Sequence, residues 1–157
     1  MGFALSEMSL KSPAFEDNGA IPKKHSGEGK NVSPPLTWED VPKEAKSLAL
    51  VVFDPDAPLV RKHAVGFTHW VLYNIPADVK GLKTAEENYT QGVNEQGTQG
   101  YTGPMPPKGH GIHRYYFHLF ALDKALDLKP GLSYEKLLRK IEPHVMATNR
   151  LVGTYTR

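Results

Sequence analysis

The sequence predicts a mainly β protein, a sandwich of largely antiparallel sheets with a few peripheral helices. Three observations carry this reading. A continuous apolar run, residues 47–53 (SLALVVF), has the length of a buried central strand. Two further segments, residues 68–75 (THWVLYNI) and 113–122 (HRYYFHLFAL), place aromatic and β-branched side chains at strand spacing. The 13 prolines and 14 glycines are spread along the chain, which suits short strands joined by shaped loops, and no regular helices separate the strands.

The elements follow in chain order. Residues 3–10 read as an edge strand. Residues 12–35 read mostly as loop, with Asp17-Asn18-Gly19 as a turn signal. After the central strand, alternation in residues 68–75 puts His69, Val71 and Tyr73 on one face and Trp70, Leu72 and Asn74 on the other. Residues 100–112 form a Gly- and Pro-rich loop, far longer than the Asn-Gly or Asp-Gly turn of a plain hairpin. In the strand that follows, His113, Tyr115, Phe117 and Leu119 share one face, and Arg114, Tyr116, His118 and Phe120 the other. One helix is predicted, with Ser133 as N-cap and Glu135 in the first turn. Its Tyr134, Leu137, Leu138 and Ile141 fall at i, i+3, i+4 and i+7, and Pro143 ends it. Residues 151–156 form a last short strand that carries Gly153.

The 157 residues are expected to form one domain spanning 1–157, large enough to bury most of its unfolded surface without disulfides or a structural metal. No cysteine is present, which excludes disulfides, thiolate metal sites and cysteine nucleophiles. Residues 1–11 show no leader pattern, and no apolar run approaches the ~18 residues of a membrane span, so a cytoplasmic protein without a transmembrane segment is expected. The net charge is +2 with histidine neutral, and the basic residues are dispersed rather than striped, which argues against a nucleic-acid partner. Seven histidines make pH-dependent anion affinity plausible on composition alone.

Three strand–loop junctions combine rigidity with polar groups: residues 53–58 (FDPDAP), His69, and the loop that ends in His113-Arg114-Tyr115. Asp54 and Asp56 could be ordinary turn carboxylates. Alternatively one orients a histidine and the other pairs with an arginine such as Arg114, and an Asp–His pair makes a cation that can hold an anion. His69 taken alone is a satisfied core or surface histidine. His110 and His113 have HxxH spacing, but a loop entering a strand does not put them on one face and no HExxH is present, so no metal site is expected. Gly100, Gly103, Gly109 and Gly111 could line an anion nest with their N–H groups. Neither a GxxxxGK[ST] loop nor a GxSxG elbow appears, and no cofactor is implied.

Taken together, these segments resemble the phosphatidylethanolamine-binding protein family, also called Raf kinase inhibitor-like proteins, and most closely its bacterial and archaeal branch. The likeness runs nearly the full length. It rests on SPAFEDNGAIPKKHSGEGKNVSPPLTW, on SLALVVFDPDAP with its DPDxP signature, on THWVLYNIP, on GYTGPMPPKGHGIHRYYFHLFALD with its GPxPPxGxHRY signature, and on the ending LVGTYTR. The resemblance implies a β-sandwich with a small, metal-free anion pocket at one end, taking phosphate-like groups or phospholipid headgroups. By motif, Asp54 and His69 would be central to it. Pro58, Pro107, Gly103 and Tyr115 would form its wall and rim with His113 beside them, and Asp56 would pair with Arg114 to fasten two loops. A homodimer is implied by analogy with bacterial relatives. Three departures bear on the rim: Met105 stands where the branch often has Cys, the stretch KHSGEGKNVSPP lacks its Tyr-Thr-Cys, and LVRKHAVGFT is longer and more basic, with Arg61, Lys62 and His63.

Three functions follow, in order of preference. The first is a binding module that holds a small anionic ligand, such as phosphate or phosphoethanolamine, through a charged His69 oriented by Asp54. The second is an inhibitor of a protein partner, a kinase or a protease. The third is a small hydrolase using Asp54 and His69 as an acid–base pair with Tyr115 as a proton donor.

Overall fold

The computed structural model describes residues 6–57, 62 and 64–157. In chain order these form β1 (Ser9–Lys11), β2 (Gly19–Ala20), β3 (Leu36–Glu39), β4 (Ser47–Asp54), β5 (Phe67–Pro76), β6 (Gly81–Leu82), β7 (Thr90–Gln91), β8 (His113–Leu122), the helix α1 (Tyr134–Ile141) and β9 (Val145–Tyr155). One sheet has the order β2-β9-β8-β4-β5-β7 and the other β1-β3-β6. Every pairing is antiparallel except that of β2 with β9. This is the mainly β, largely antiparallel arrangement that the sequence predicts. Among the described residues, no helix is long and apolar enough to cross a membrane.

The unbroken apolar run of β4 has a physical cause. Leu48, Leu50 and Val52 pack into the core between the sheets with Leu10, Leu36, Trp38 and Leu82. Ala49 and Val51 face the other way, against Leu137 and Ile141 of α1. With both faces covered, alternation disappears. Each large apolar side chain so buried stabilises the fold by roughly 1.5–3 kcal/mol. In β8 the predicted faces hold: His113, Tyr115, Phe117 and Leu119 are buried, while Tyr116, His118 and Phe120 are half-buried and Arg114 is exposed.

β5 departs from simple alternation at both ends. Asn74 was expected to share a face with Trp70 and Leu72, but Ile75 takes that place in the inter-sheet core. The register with β4 shifts between Leu48 and Leu50, and Asn74 has φ 55. Asparagine tolerates this left-handed conformation. Its Nδ2–H donates to the Leu128 carbonyl (2.7 Å) and its Oδ1 accepts from the Leu128 N–H (3.0 Å), so it pins the segment that precedes α1.

Two strand boundaries differ from expectation. The first strand is Ser9–Lys11 rather than 3–10, and residues 3–5 of that range lie outside the described residues. The last strand begins at Val145, not 151. Its polar first half, with Thr148, Asn149 and Arg150, hides it from an apolar pattern search. Asn149 instead uses its amide to hold the carbonyls of Ser6 (3.2 Å) and Met8. The helix is as predicted: the Ser133 hydroxyl accepts from the Lys136 N–H (3.3 Å), and Pro143 falls in a closing 3₁₀ turn, Glu142–His144.

Candidate ligand-binding site

The last residue of β4, the first residues of β5 and the first residues of β8 meet at one end of the sandwich. There the inter-sheet core stops and a cavity of about 300 Å³ opens. Asp54, His69, Gly103, Pro107, His113 and Tyr115 all line it, joined by Phe67, Met105 and Pro106. Pro58, Arg61 and His63 lie outside the described residues.

His69 reaches the cavity through a break in strand register. Val52 pairs with Trp70 and Phe53 with Thr68, so His69 is the extra residue of a β-bulge. The bulge turns its ring away from the expected Val71/Tyr73 face, to lie 4.6 Å from the Phe67 ring and 5.1 Å from the Tyr115 ring. Its Nδ1–H donates to the Thr102 carbonyl (2.6 Å), and its own carbonyl accepts from the Thr102 N–H (2.9 Å). The tautomer follows from that partner and leaves Nε2 as the ring's acceptor. Burial drives the imidazole pKa down from 6.5 to about 4, against the pull of the Thr102 carbonyl.

Asp54 does not orient His69, as had been expected. Its Oδ2 accepts from His113 Nδ1–H (2.7 Å), and its Oδ1 accepts from the Asp56 N–H (2.7 Å). The reason is topological. Asp54 lies on the face of β4 that carries Leu48, Leu50 and Val52, next to the inward face of β8 on which His113 sits, whereas the bulge has carried His69 towards Thr102. Burial pushes the Asp54 carboxyl above its ordinary value, while the bonds from His113 and Asp56 oppose this. His113 in turn meets His110, with Nε2 2.6 Å from His110 Nδ1. The charged, Asp54-oriented His69 is therefore replaced by a neutral His69 and a separate Asp54–His113 pair.

The remaining expectations resolve residue by residue. Asp56 does fasten its loop to β8, but through the Arg114 backbone N–H (2.8 Å), a bond that any non-proline residue could supply. The anion nest is not available at three of its four glycines. Gly100 N–H is directed to the Gly92 carbonyl, Gly109 N–H to the Arg157 carbonyl, and Gly103 N–H to Asn31 Oδ1 (2.7 Å). Gly103 is required for space, since a Cβ there would lie 2.2 Å from the His25 carbonyl oxygen. Tyr115 is 1% exposed, and its hydroxyl has no hydrogen-bond partner among the described residues. Burial, and then the charge of Asp54, push that hydroxyl well above its ordinary pKa, so it stays a donor. Among the described residues, no three His, Asp or Glu side chains converge as a metal-ligand set.

The supports of the rim carry no motif. Gly27 N–H holds the Pro104 carbonyl (2.8 Å), and the Arg157 guanidinium holds the Pro106 carbonyl (3.1 Å) while pairing with Glu28 (3.4 Å). These contacts span more than fifty residues of sequence and have no local pattern. Phe67 directly precedes the predicted strand 68–75, and that place was the signal that could have found it.

The phosphatidylethanolamine-binding protein family model matches residues 11–156. A UPF0098 protein of Methanothermobacter thermautotrophicus is 49% identical, covering 96% of this chain and 99% of its own. The crystal structure of a phosphatidylethanolamine-binding protein homologue from Chlamydia trachomatis, CT736, matches with a TM-score of 0.90 at 42% identity, covering 96% of this chain and 97% of that one. Escherichia coli YbcL matches with a TM-score of 0.87 at 30% identity, covering 97% and 99%. A carboxypeptidase Y inhibitor, solved with its cognate proteinase, shares the fold at a TM-score of 0.53 and 21% identity, covering 96% and 83%.

Proposed function

The chain belongs to the phosphatidylethanolamine-binding protein family, and from that premise we propose that its cavity binds one phosphate-type group, free or as a phospholipid headgroup. The observation that carries this is the unpaired Tyr115 hydroxyl opposite a neutral His69 in a cavity of about 300 Å³. Among the side chains that line it, the cavity offers Tyr115 as a donor, His69 Nε2 and the Asp54 carboxyl as acceptors, and the exposed Gln96 carboxamide, which can do either. A hydrogen phosphate complements that set, because its P–OH donates while its other oxygens accept. Phosphomonoesters lose this second proton near pH 6. Affinity then falls as pH rises because the ligand loses its donor, not because His69 loses a charge.

Calorimetric titration with phosphate and phosphoethanolamine at pH 6 and pH 8 tests the reading. Binding at pH 6 that weakens at pH 8 and in His69→Ala is the expected result. No binding at either pH sinks it and favours the protein-partner alternative. For that alternative the exposed Met105 (50%) and Ile112 (56%), one lining the cavity and the other preceding His113, offer an apolar contact.

A further inference from the structure

His113 has two ring nitrogens, and both are committed. Nδ1–H is held by Asp54 at 2.7 Å, inside a side chain that is 2% exposed. That leaves Nε2 as the ring's acceptor, and His110 Nδ1–H fills it at 2.6 Å. The two rings are tilted by 52° with centroids 4.9 Å apart, a contact of edges rather than a stack. A ligand in the cavity therefore finds no free nitrogen on His113 while His110 stays where it is.

The segment that carries His110 is built differently from the strand it touches. His110 is exposed, and it sits between Gly109 (φ 74) and Gly111 (φ 87). A Cβ at either glycine would meet no atom within 4 Å, so glycine serves the backbone conformation there and not close packing. The base of the segment is anchored: Gly109 N–H bonds the Arg157 carbonyl (3.1 Å) and His110 N–H the Pro107 carbonyl (3.2 Å). Beyond it, Ile112 is exposed, and regular pairing resumes at His113 with Tyr155. The imidazole of His110 is held in place by one side-chain bond, on a backbone with glycine on both sides.

Resting on the anion-pocket reading, we propose that His110 is a built-in competitor for the site. A phosphate-type ligand engages His113 only in molecules whose His110 has swung off Nε2. The apparent affinity is then the intrinsic affinity multiplied by the open fraction. A hydrogen bond of ordinary net strength keeps that fraction low enough to weaken binding about three- to ten-fold.

The test is a titration of inorganic phosphate and of phosphoethanolamine at pH 6 into the full chain, His110→Ala and His110→Asn. Calorimetry reads the affinity and the imidazole ¹⁵N spectrum reads the contacts. His110→Ala should bind about three- to ten-fold tighter. His110→Asn should return towards wild type, because an asparagine amide N–H takes the place of Nδ1–H. In wild type, ligand should move the His110 Nδ1 and His113 Nε2 resonances together. A gain of equal size for both ligands identifies the phosphoryl group as the recognised element, and a larger one for phosphoethanolamine identifies a headgroup. Wild-type binding with equal or weaker binding by His110→Ala overturns the competitor and leaves the pocket reading standing. Binding by neither protein overturns both, and binding by His110→Ala alone supports both.

Discussion

The β5 wall and the β8 wall of the cavity each present one buried histidine, His69 and His113, and they differ by a single partner atom. The Nδ1–H of His69 meets the carbonyl of Thr102, and that of His113 meets the carboxyl of Asp54. A carbonyl accepts the hydrogen bond but brings no charge to offset the desolvation of an imidazolium, so burial wins and His69 is held neutral. The walls also differ in construction, since a bulge delivers His69 whereas regular alternation delivers His113. The two rings thus share one arrangement, Nδ1–H bound and Nε2 an acceptor, but only His113 has a carboxyl beside it, and the main-chain path decides which partner each meets.

Removing the carboxyl breaks the comparison most severely. Asp54→Ala leaves the buried His113 Nδ1–H and the Asp56 N–H without their acceptor. The unpaired buried donor of His113 and the broken buried pair together cost about 3–4 kcal/mol, to be read from urea unfolding at pH 7. A loss under about 1 kcal/mol would mean that solvent replaces the carboxyl and that the β8 wall is not built on it.

The β5 wall has its own pH test, nearly as large. Between pH 6.5 and about 4, unfolded His69 carries a proton that folded His69 does not. Its contribution to stability is therefore complete above pH 6.5 and falls as pH drops through that window, by up to about 3 kcal/mol. The raised Asp54 carboxyl contributes with the opposite slope, because the folded state there holds the extra proton. The difference between wild type and His69→Asn isolates the histidine. The variant should show the flatter stability curve from pH 7 to 4, and parallel curves would mean that His69 takes up its proton as readily folded as unfolded.

These partners mark the limit of what the sequence makes legible. Strand and helix periodicity locates β5, β8 and α1, because a face that must be buried leaves a period in the residues, and β4, buried on both faces, shows instead as an unbroken apolar run. Of the predicted site residues that lie in the described part, Asp54, His69, Gly103, Pro107, His113 and Tyr115 line the cavity, while the fastening residues Asp56 and Arg114 do not. Which histidine Asp54 would meet was not legible. That depends on the register shift between Val52 and Phe53, and a one-residue slip is invisible in apolar periodicity. The first half of β9 was hidden for a different reason: Asn149 and its neighbours serve backbone hydrogen bonds rather than a core. The role of Asp56 fell between these cases, since the fastening to residue 114 was foreseen but the atom that makes it was not.

The smallest expected effect sharpens the comparison, because it touches the cavity without touching either histidine's partner. Tyr115 stands on the β8 wall next to both rings, 5.1 Å from that of His69 and 6.4 Å from that of His113. Tyr115→Phe removes only a hydroxyl that bonds nothing among the described residues. Stability should therefore change by less than about 0.5 kcal/mol, since no internal bond is lost. Phosphate affinity should fall about three- to ten-fold, the worth of one hydrogen bond to the ligand. This is opposite in sign to the change expected for His110→Ala, although His110 stands only three residues before His113 and Tyr115 two after it. A matched pair of thermal melts and calorimetric titrations separates the two. If affinity were unchanged in Tyr115→Phe, the ligand would sit towards His69 and Phe67, and donors on the β8 wall would play no part in holding it.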